Sequence, residues 1–342
     1  MKILAIESSC DETSCSIVCD DSNCSKRILS NIINSQIQLH LKYGGVIPEY
    51  AARNHLDCID KVINEALKSA KVSLLEMDAI AATAGPGLIG GLLVGMVTAK
   101  SIALFAKKPF MAINHLEGHL LTARLCYNVA MPYLALLASG GHFILVEALG
   151  VGNYRVLGET LDDAAGEAFD KTAKMLGLPY PGGPSIQEAA KKGNKNRFKY
   201  TIPLQKRLGC DASFSGIKTA TRLHIESINN INDQDKFDIA ASFQNIVSTF
   251  VLRQLEKAYK MVSSDIKNIV ISGGVAANTE IREKIQKFCT SRKLTFFAPP
   301  LDLCSDNAAM IGWGAIEKIK SGAKYSPLNA KTMPKWPIAN LV

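Results

Sequence analysis

Two spacings of apolar residues alternate along the chain. Short apolar runs turn back on themselves at polar or glycine-rich breaks: KILAIES, the turn SCDET, then SCSIVC; and YLALLAS, Gly140-Gly141, then HFILVEAL. Each reads as a β-hairpin, and two such hairpins suggest a duplicated lobe. A third apolar run, in NIVISGGVAANTEIREKI, ends at Ser272 and predicts a strand, with a helix starting just past Gly273-Gly274 at Ala276 or Asn278. Helical spacing marks Asn54–Lys71 (Leu56, Ile59, Val62, Ile63, Ala66, Leu67) and Phe237–Val262 (Ile239, Phe243, Ile246, Val247, Phe250, Leu255, Ala258), both expected to face a core. Met310–Lys320 predicts a closing helix that returns to the first lobe.

The uncharged stretch from Ala79 to Ala99 is long enough on paper to span a bilayer. Pro86 and its flanking glycines interrupt it, so a strand (Asp78–Thr83), a glycine turn and a buried helix (Leu88–Ala106) fit better. Glu7 interrupts the apolar start of the chain, which suits a buried strand and not a signal peptide. The chain therefore reads as soluble, with no membrane segment.

Its length of 342 residues favours two lobes. With 47% hydrophobic and 20% charged residues, a largely disordered chain is excluded. The net charge of +8 favours an anionic partner such as nucleic acid. Much of it sits in Lys191–Arg207, which reads either as a solvated loop or as a phosphate-contacting patch. Nine cysteines form no CxxC pair, and Cys10, Cys15, Cys19 and Cys24 match no metal spacing, so reduced thiols are expected.

The stretch NHLEGH places His115 and His119 four residues apart, on one face of a helix about 6 Å apart along its axis. Two imidazoles so spaced can converge on one ion. The metalloprotease pattern HExxH does not apply, because Leu116 follows His115 and the acid, Glu117, is at i+2. Asp306, in LCSDNAAMIGWG, is the best third ligand; the alternative is an acid that simply serves the start of the next helix. Three glycine turns at strand ends suggest a nucleotide cleft between lobes.

IESSCDETS, NHLEGHLLTA, LLASGGHF, GETLDDAAGEAFDKTAKMLGLPYPGGP, FSGIKTA, SGGVAANTEIR and CSDNAAMIGWG closely resemble the bacterial TsaD family. These are the tRNA N6-adenosine threonylcarbamoyltransferases, formerly called O-sialoglycoprotein endopeptidases. The resemblance runs in order from the first residues to about Lys335. It implies the two-lobed α/β fold of actin, Hsp70 and the sugar kinases, with a nucleotide cleft between duplicated lobes: residues 1–114 plus 308–342, and residues 115–307. It implies transfer of the threonylcarbamoyl group from L-threonylcarbamoyladenylate to N6 of adenosine 37 in tRNAs reading ANN codons, with release of AMP. By the same resemblance, His115, His119 and Asp306 hold one divalent metal ion, iron or zinc. Leu137, Ala138, Ser139, Gly140 and Gly141 form the substrate loop, and Asp170, Gly183 and Asn278 hold the nucleotide portion. Asp11 and Glu12 match an acidic pair of the first hairpin. Gln187 departs from the pattern, standing where many relatives carry an acid that touches ribose, and the Cys19–Arg27 turn is longer than usual. The implied partners are tRNA, a paralogous subunit of the same fold (TsaB-like) and a small P-loop ATPase (TsaE-like), in the cytoplasm. The competing functions are a metallopeptidase, an ATPase or sugar kinase of this fold, and a non-catalytic scaffold.

Overall fold

The computed structural model describes residues 1–41, 45–263 and 265–341. In chain order the elements are β1 (Lys2–Glu7), β2 (Glu12–Cys19), β3 (Ile28–Ser35), α1 (Ile37–His40), α2 (Pro48–Ala70), β4 (Ala79–Gly85), α3 (Ile89–Ala106), β5 (Phe110–Asn114) and α4 (His115–Tyr127). There follow β6 (Tyr133–Ala138), β7 (Phe143–Gly150), β8 (Asn153–Glu159), α5 (Ala165–Met175), α6 (Gly182–Ala190), α7 (Ser215–Glu226) and α8 (Asp233–Tyr259). The chain ends with β9 (Asn268–Ser272), α9 (Thr279–Ser291), β10 (Thr295–Phe297) and α10 (Ala308–Lys320).

Two compact units result: Met1–Val129 with Gly150–Tyr154 and Ser305–Val342, and Ala130–Leu149 with Arg155–Cys304. The first holds a sheet of order β3-β2-β1-β4-β5, and the second a sheet of order β8-β7-β6-β9-β10. In each, the opening strand pairs antiparallel with the next and parallel with the fourth (β1 with β2 and β4; β6 with β7 and β9). The two sheets thus share one topology, the duplication that the two hairpins suggest. β4 is buried along its whole length, as a strand covered on both faces must be. In the second unit the apolar stripe of α8 is buried from Ile239 to Ala258, with Phe243 edge-on to Phe169 at 5.2 Å.

Three expectations are corrected, and the helix start expected at Ala276 or Asn278 falls at the second of these. The division after residue 114 falls too early: α4 stays in the first unit, where it packs on α10 and is buried on nearly every side, its polar residues included. The helix Ile89–Ala106 is not buried throughout. By length and composition alone it passes for a membrane span, but 39% of it is buried, and its exposed residues include Ile89, Leu93, Val97, Leu104 and Phe105. Leu56 points outward, at 68% exposure, while Ile59, Val62, Ile63 and Ala66 take the core positions of α2. After Gly273 the chain makes a 3₁₀ turn over Gly274–Ala277 before α9, whose N-cap is Asn278.

The helix that carries the histidine pair is fastened at both ends. Asn114 caps its start, its side chain accepting from the N–H groups of Leu116 and Glu117 at 2.9 and 3.2 Å. At its other end Arg27, 5% exposed, donates to the carbonyls of Arg124 and Leu125 and stacks on Trp313 at 4.3 Å. A cation there complements the negative end of the helix dipole. The last residue of the long Cys19–Arg27 turn thus fastens the end of α4. Between the ends, Glu117 is fully buried and accepts from Gly152 N–H (3.0 Å), the Tyr154 hydroxyl (3.1 Å) and Lys318 Nζ (3.2 Å).

Removing Lys318 leaves the Glu117 charge buried without its ion pair. Lys318→Met is expected to lower unfolding free energy by about 3 kcal/mol. Lys320→Met, which loses an exposed pair with Asp20, is expected to cost less than about 1 kcal/mol. Urea denaturation of the two variants checks this; equal costs would mean that Glu117 does not anchor α4.

Candidate metal centre and nucleotide turns

β5 runs directly into α4, so His115 is the first helical residue and His119 follows one turn later. Gly118 lies between them and lets α10 approach: a Cβ there would come within 3.0 Å of Ile311 and 3.3 Å of Met310. The start of α10 is thereby brought to the histidine face. Asn307, not Asp306, caps α10 by accepting from Met310 N–H at 3.1 Å. Asp306 is thus relieved of the capping role that was the plain alternative for it. Its Oδ1 lies 2.9 Å from His119 Nε2 and 3.5 Å from His115 Nε2. One donor atom from each of His115, His119 and Asp306 lies within 4.8 Å of the others, and this is the one such group among the described residues. None of the nine cysteines is in a disulfide, and none belongs to this group.

The charge around this group is unbalanced. Glu7, at the end of β1, is fully buried, and the only ion pair it makes among the described residues is with His115, at 3.1 Å. Asp11 and Glu12 are close enough to add to the field. Burial pushes the Glu12 carboxyl well above the usual range, and Asp11, Asp306 and Glu7 push it the same way. Burial alone would lower the His115 pKa, but Asp306 and Glu7 outweigh it and raise the pKa to about 9. Burial likewise tends to raise the Glu7 pKa, and His115 reverses that to a net lowering. A cluster with this excess of carboxylates in a low-dielectric site attracts a cation. Two imidazoles and one carboxylate are also a donor set that zinc or iron accepts. The residues fit a divalent ion.

In the second unit the glycine turns gather at the C-terminal ends of the parallel strands β6 and β9. Leu137 and Ala138 are buried inside β6, so only residues 139–141 form a turn. A Cβ on Gly140 or Gly141 would meet nothing within 4 Å. Gly273, at φ +89°, sits against the end of β6, where a Cβ would lie 2.4 Å from the Ala138 carbonyl oxygen. Asp170 Oδ1 accepts from Gly182 N–H at 2.7 Å, and a Cβ on Gly182 would collide with the Asp170 backbone at 2.5 Å. Its neighbour Gly183 has open space around it. Within each of the pairs 182–183 and 273–274, one glycine allows close packing and the other leaves room for something else.

Asn278 is occupied with the fold. Its side chain caps α9 by accepting from Ile281 N–H (3.2 Å) and donates to Gln244 Oε1 (2.8 Å). Gln187 does similar work, accepting from Thr279 N–H and hydroxyl at 2.8 and 3.1 Å. The basic segment Lys191–Arg207 divides. Arg197 reaches back to Asp235 (2.6 Å) and Asp238 (2.9 Å), whose side chains are 7% exposed, and so fastens the segment to α8. Lys191 and Arg207 pair with Glu188 and Asp211. Lys195, Lys199 and Lys206 remain as exposed cations. The residue that sequence reasoning missed is Glu7; the signal was a charged side chain set in an apolar strand.

A family model described as "tRNA N6-adenosine threonylcarbamoyltransferase" (TsaD) matches residues 27–313. A relative of that name from Rhizobium leguminosarum bv. trifolii (strain WSM2304) is 49% identical over 344 residues, spanning 99% of this chain and 94% of its own. Another of the same name, from Rhizobium meliloti (strain 1021), is 48% identical over 343 residues, spanning 99% of this chain and 95% of its own. Among solved structures, HypF from T. kodakarensis superposes with a TM-score of 0.60 at 14% identity, over 94% of this chain and 48% of that one. Component A of (R)-2-hydroxyglutaryl-CoA dehydratase from Acidaminococcus fermentans gives 0.53 at 16%, over 94% and 99%. At such identities these two structures speak for the fold alone, the two-lobed α/β class of actin, Hsp70 and the sugar kinases. The match over nearly all of both chains speaks for more: the chain belongs to the TsaD family of tRNA N6-adenosine threonylcarbamoyltransferases.

Proposed function

We propose that this enzyme transfers the threonylcarbamoyl group from L-threonylcarbamoyladenylate to N6 of adenosine 37 in tRNAs reading ANN codons. The 49% identity over 99% of the chain to a relative bearing the transferase name carries the reading. N6 attacks the carbamoyl carbon, a C–N bond forms, the C–O bond to phosphate breaks, and AMP leaves with the electron pair while N6 loses a proton. His115, His119 and Asp306 would hold a divalent ion, iron or zinc, which would supply Lewis-acid chemistry to a substrate oxygen. Ser139 N–H is taken by the His142 carbonyl, and the backbone N–H groups of Gly140 and Gly141 are the ones offered to negative charge. Asp170, held by Gly182 N–H, receives ribose hydroxyls, and the space beside Gly183 accommodates the nucleotide. N6 of adenine is a poor nucleophile, so placing it near the carbonyl supplies much of the rate. The metallopeptidase reading fails because Glu117 is buried and spent on Gly152, Tyr154 and Lys318. A kinase or ATPase reading leaves the His–His–Asp group without a use.

The partners are tRNA, the paralogous subunit and the small P-loop ATPase, in the cytoplasm. The surface that supports a protein partner is the outer face of α3. Ile89, Leu93 and Val97 recur every four residues at 50, 47 and 58% exposure, an apolar stripe that favours cover by another chain. We assign it to the paralogue.

The activity is tested by combining the chain with threonylcarbamoyladenylate and unmodified tRNA, with and without the two partners, and measuring modified adenosine by mass spectrometry. Modified nucleoside is expected with the partners present. The double variant Leu93→Glu, Val97→Glu is expected to elute apart from the paralogue. A complex that survives this change, or a second copy of the chain in the paralogue's place, removes the assignment of α3.

His115→Ala, His119→Ala and Asp306→Ala are each expected to lose the metal and to lower activity by about tenfold or more with the fold intact. Elemental analysis of the purified variants decides it, and full occupancy without either histidine rejects the triad.

The paired glycines give a separate test. Gly182→Val is expected to prevent folding, because its Cβ meets backbone. Gly183→Val is expected to fold normally and to lose affinity for a non-hydrolysable adenylate analogue in calorimetric titration. Unchanged affinity would make the turn structural only.

A further inference from the structure

Glu7 is a buried carboxylate with a fixed set of donors. Its Oε1 accepts from Ser9 N–H at 2.6 Å, and its Oε2 accepts from the Thr83 hydroxyl at 2.5 Å. The same Oε2 lies 3.1 Å from His115 Nδ1. The Ser9 hydroxyl oxygen is also 3.1 Å from Nδ1. His119 differs, since its Nδ1 is buried with no hydrogen-bond partner among the described residues. Resting on the reading of the triad as a metal centre, we propose that Glu7 is a positioning residue for the ion. It holds a proton of His115 on Nδ1, so that Nε2, the nitrogen nearer Asp306, is the one left to an ion.

The geometry leaves no neutral substitute. An acceptor is needed at both oxygens of residue 7, because Ser9 N–H donates to one and His115 Nδ1–H to the other. A glutamine has one oxygen. If that oxygen faces His115, its NH₂ meets Ser9 N–H, donor against donor. If the NH₂ faces His115, it meets Nδ1–H donor against donor; either Nδ1 accepts and the proton moves to Nε2, or Nδ1–H is left with the Ser9 hydroxyl alone at 3.1 Å. Either outcome weakens the site without changing the size of the side chain. Carboxylates behind ligating histidines act in this way in other metal sites.

The test is zinc affinity, measured on the full chain by competition with a chromophoric chelator. Glu7→Gln is expected to weaken Zn²⁺ binding about 10–100-fold and Ser9→Ala by no more than about threefold. Affinity within about threefold of wild type in Glu7→Gln, or an equal loss in Ser9→Ala, overturns the role of Glu7. Should Glu7→Gln fail to fold, ¹⁵N NMR of the zinc-loaded wild type decides instead. A protonated His115 Nδ1 with the ion on Nε2 is expected, and the reverse arrangement overturns the proposal. His115→Ala that binds Zn²⁺ as tightly as wild type overturns the triad itself, a result distinct from failure at Glu7 alone.

Discussion

The close packing of α4 on α10 is the contact on which the first unit's chemistry depends. His119 and Asp306 are 187 positions apart, and no local preference of the chain brings them together. What does so is a helix with glycine at the point of contact, opposite Met310 and Ile311, and a buried ion pair that fastens the same two helices from the other side. The ion pair is costly to form in a dry interior and strongly disfavours a half-broken interface. Such an interaction suits a register that must not slip. Asn114 and Asn307 complete the arrangement by taking the two helix caps, so that neither histidine nor Asp306 is used for folding alone.

The electrostatics of the two units differ. In the first, buried carboxylates outnumber the groups able to neutralise them, and the imbalance centres on the ends of β1, α4 and the approach to α10. In the second, acids are matched: Asp163 by Lys171 and Lys218, Asp235 and Asp238 by Arg197, Glu280 by Lys284. There the distinctive feature is missing side chains at strand ends. One unit attracts a cation through charge, and the other makes room for a ligand with backbone donors through shape.

Much of this was legible in the sequence. The hairpins and the long helix of the second unit announce themselves by period, and the spacing of His115 and His119 predicts a shared helix face. Asp306 was also visible, as an acid ahead of an apolar helix. What period cannot show is which of two adjacent residues faces inward. Leu137 and Ala138 belong to the strand and not to the turn; Gly182 packs where Gly183 does not; Arg197 fastens a segment whose Lys195, Lys199 and Lys206 stay exposed. The lobe boundary was misplaced because α4 is buried on nearly every side, polar residues included, and carries no mark of which sheet it serves. Glu7 was noticed as an interruption of an apolar run, but its meaning lies in contacts with Thr83 and His115, 76 and 108 residues away.

The order of the units along the chain bears on how the protein is made. The first unit is discontinuous, and the second is inserted between its α4 and its α10. During synthesis the second unit is therefore complete before the first can be. Until α10 leaves the ribosome, one face of the β1–β2 region lacks its cover, and the histidines wait for a carboxylate not yet translated. That interval exposes apolar strand surface of the kind that aggregates or recruits chaperones. The His–His–Asp group is then assembled only at the last stage of biogenesis, and a ribosome that stops short of residue 306 releases a chain with two imidazoles and no carboxylate beside them.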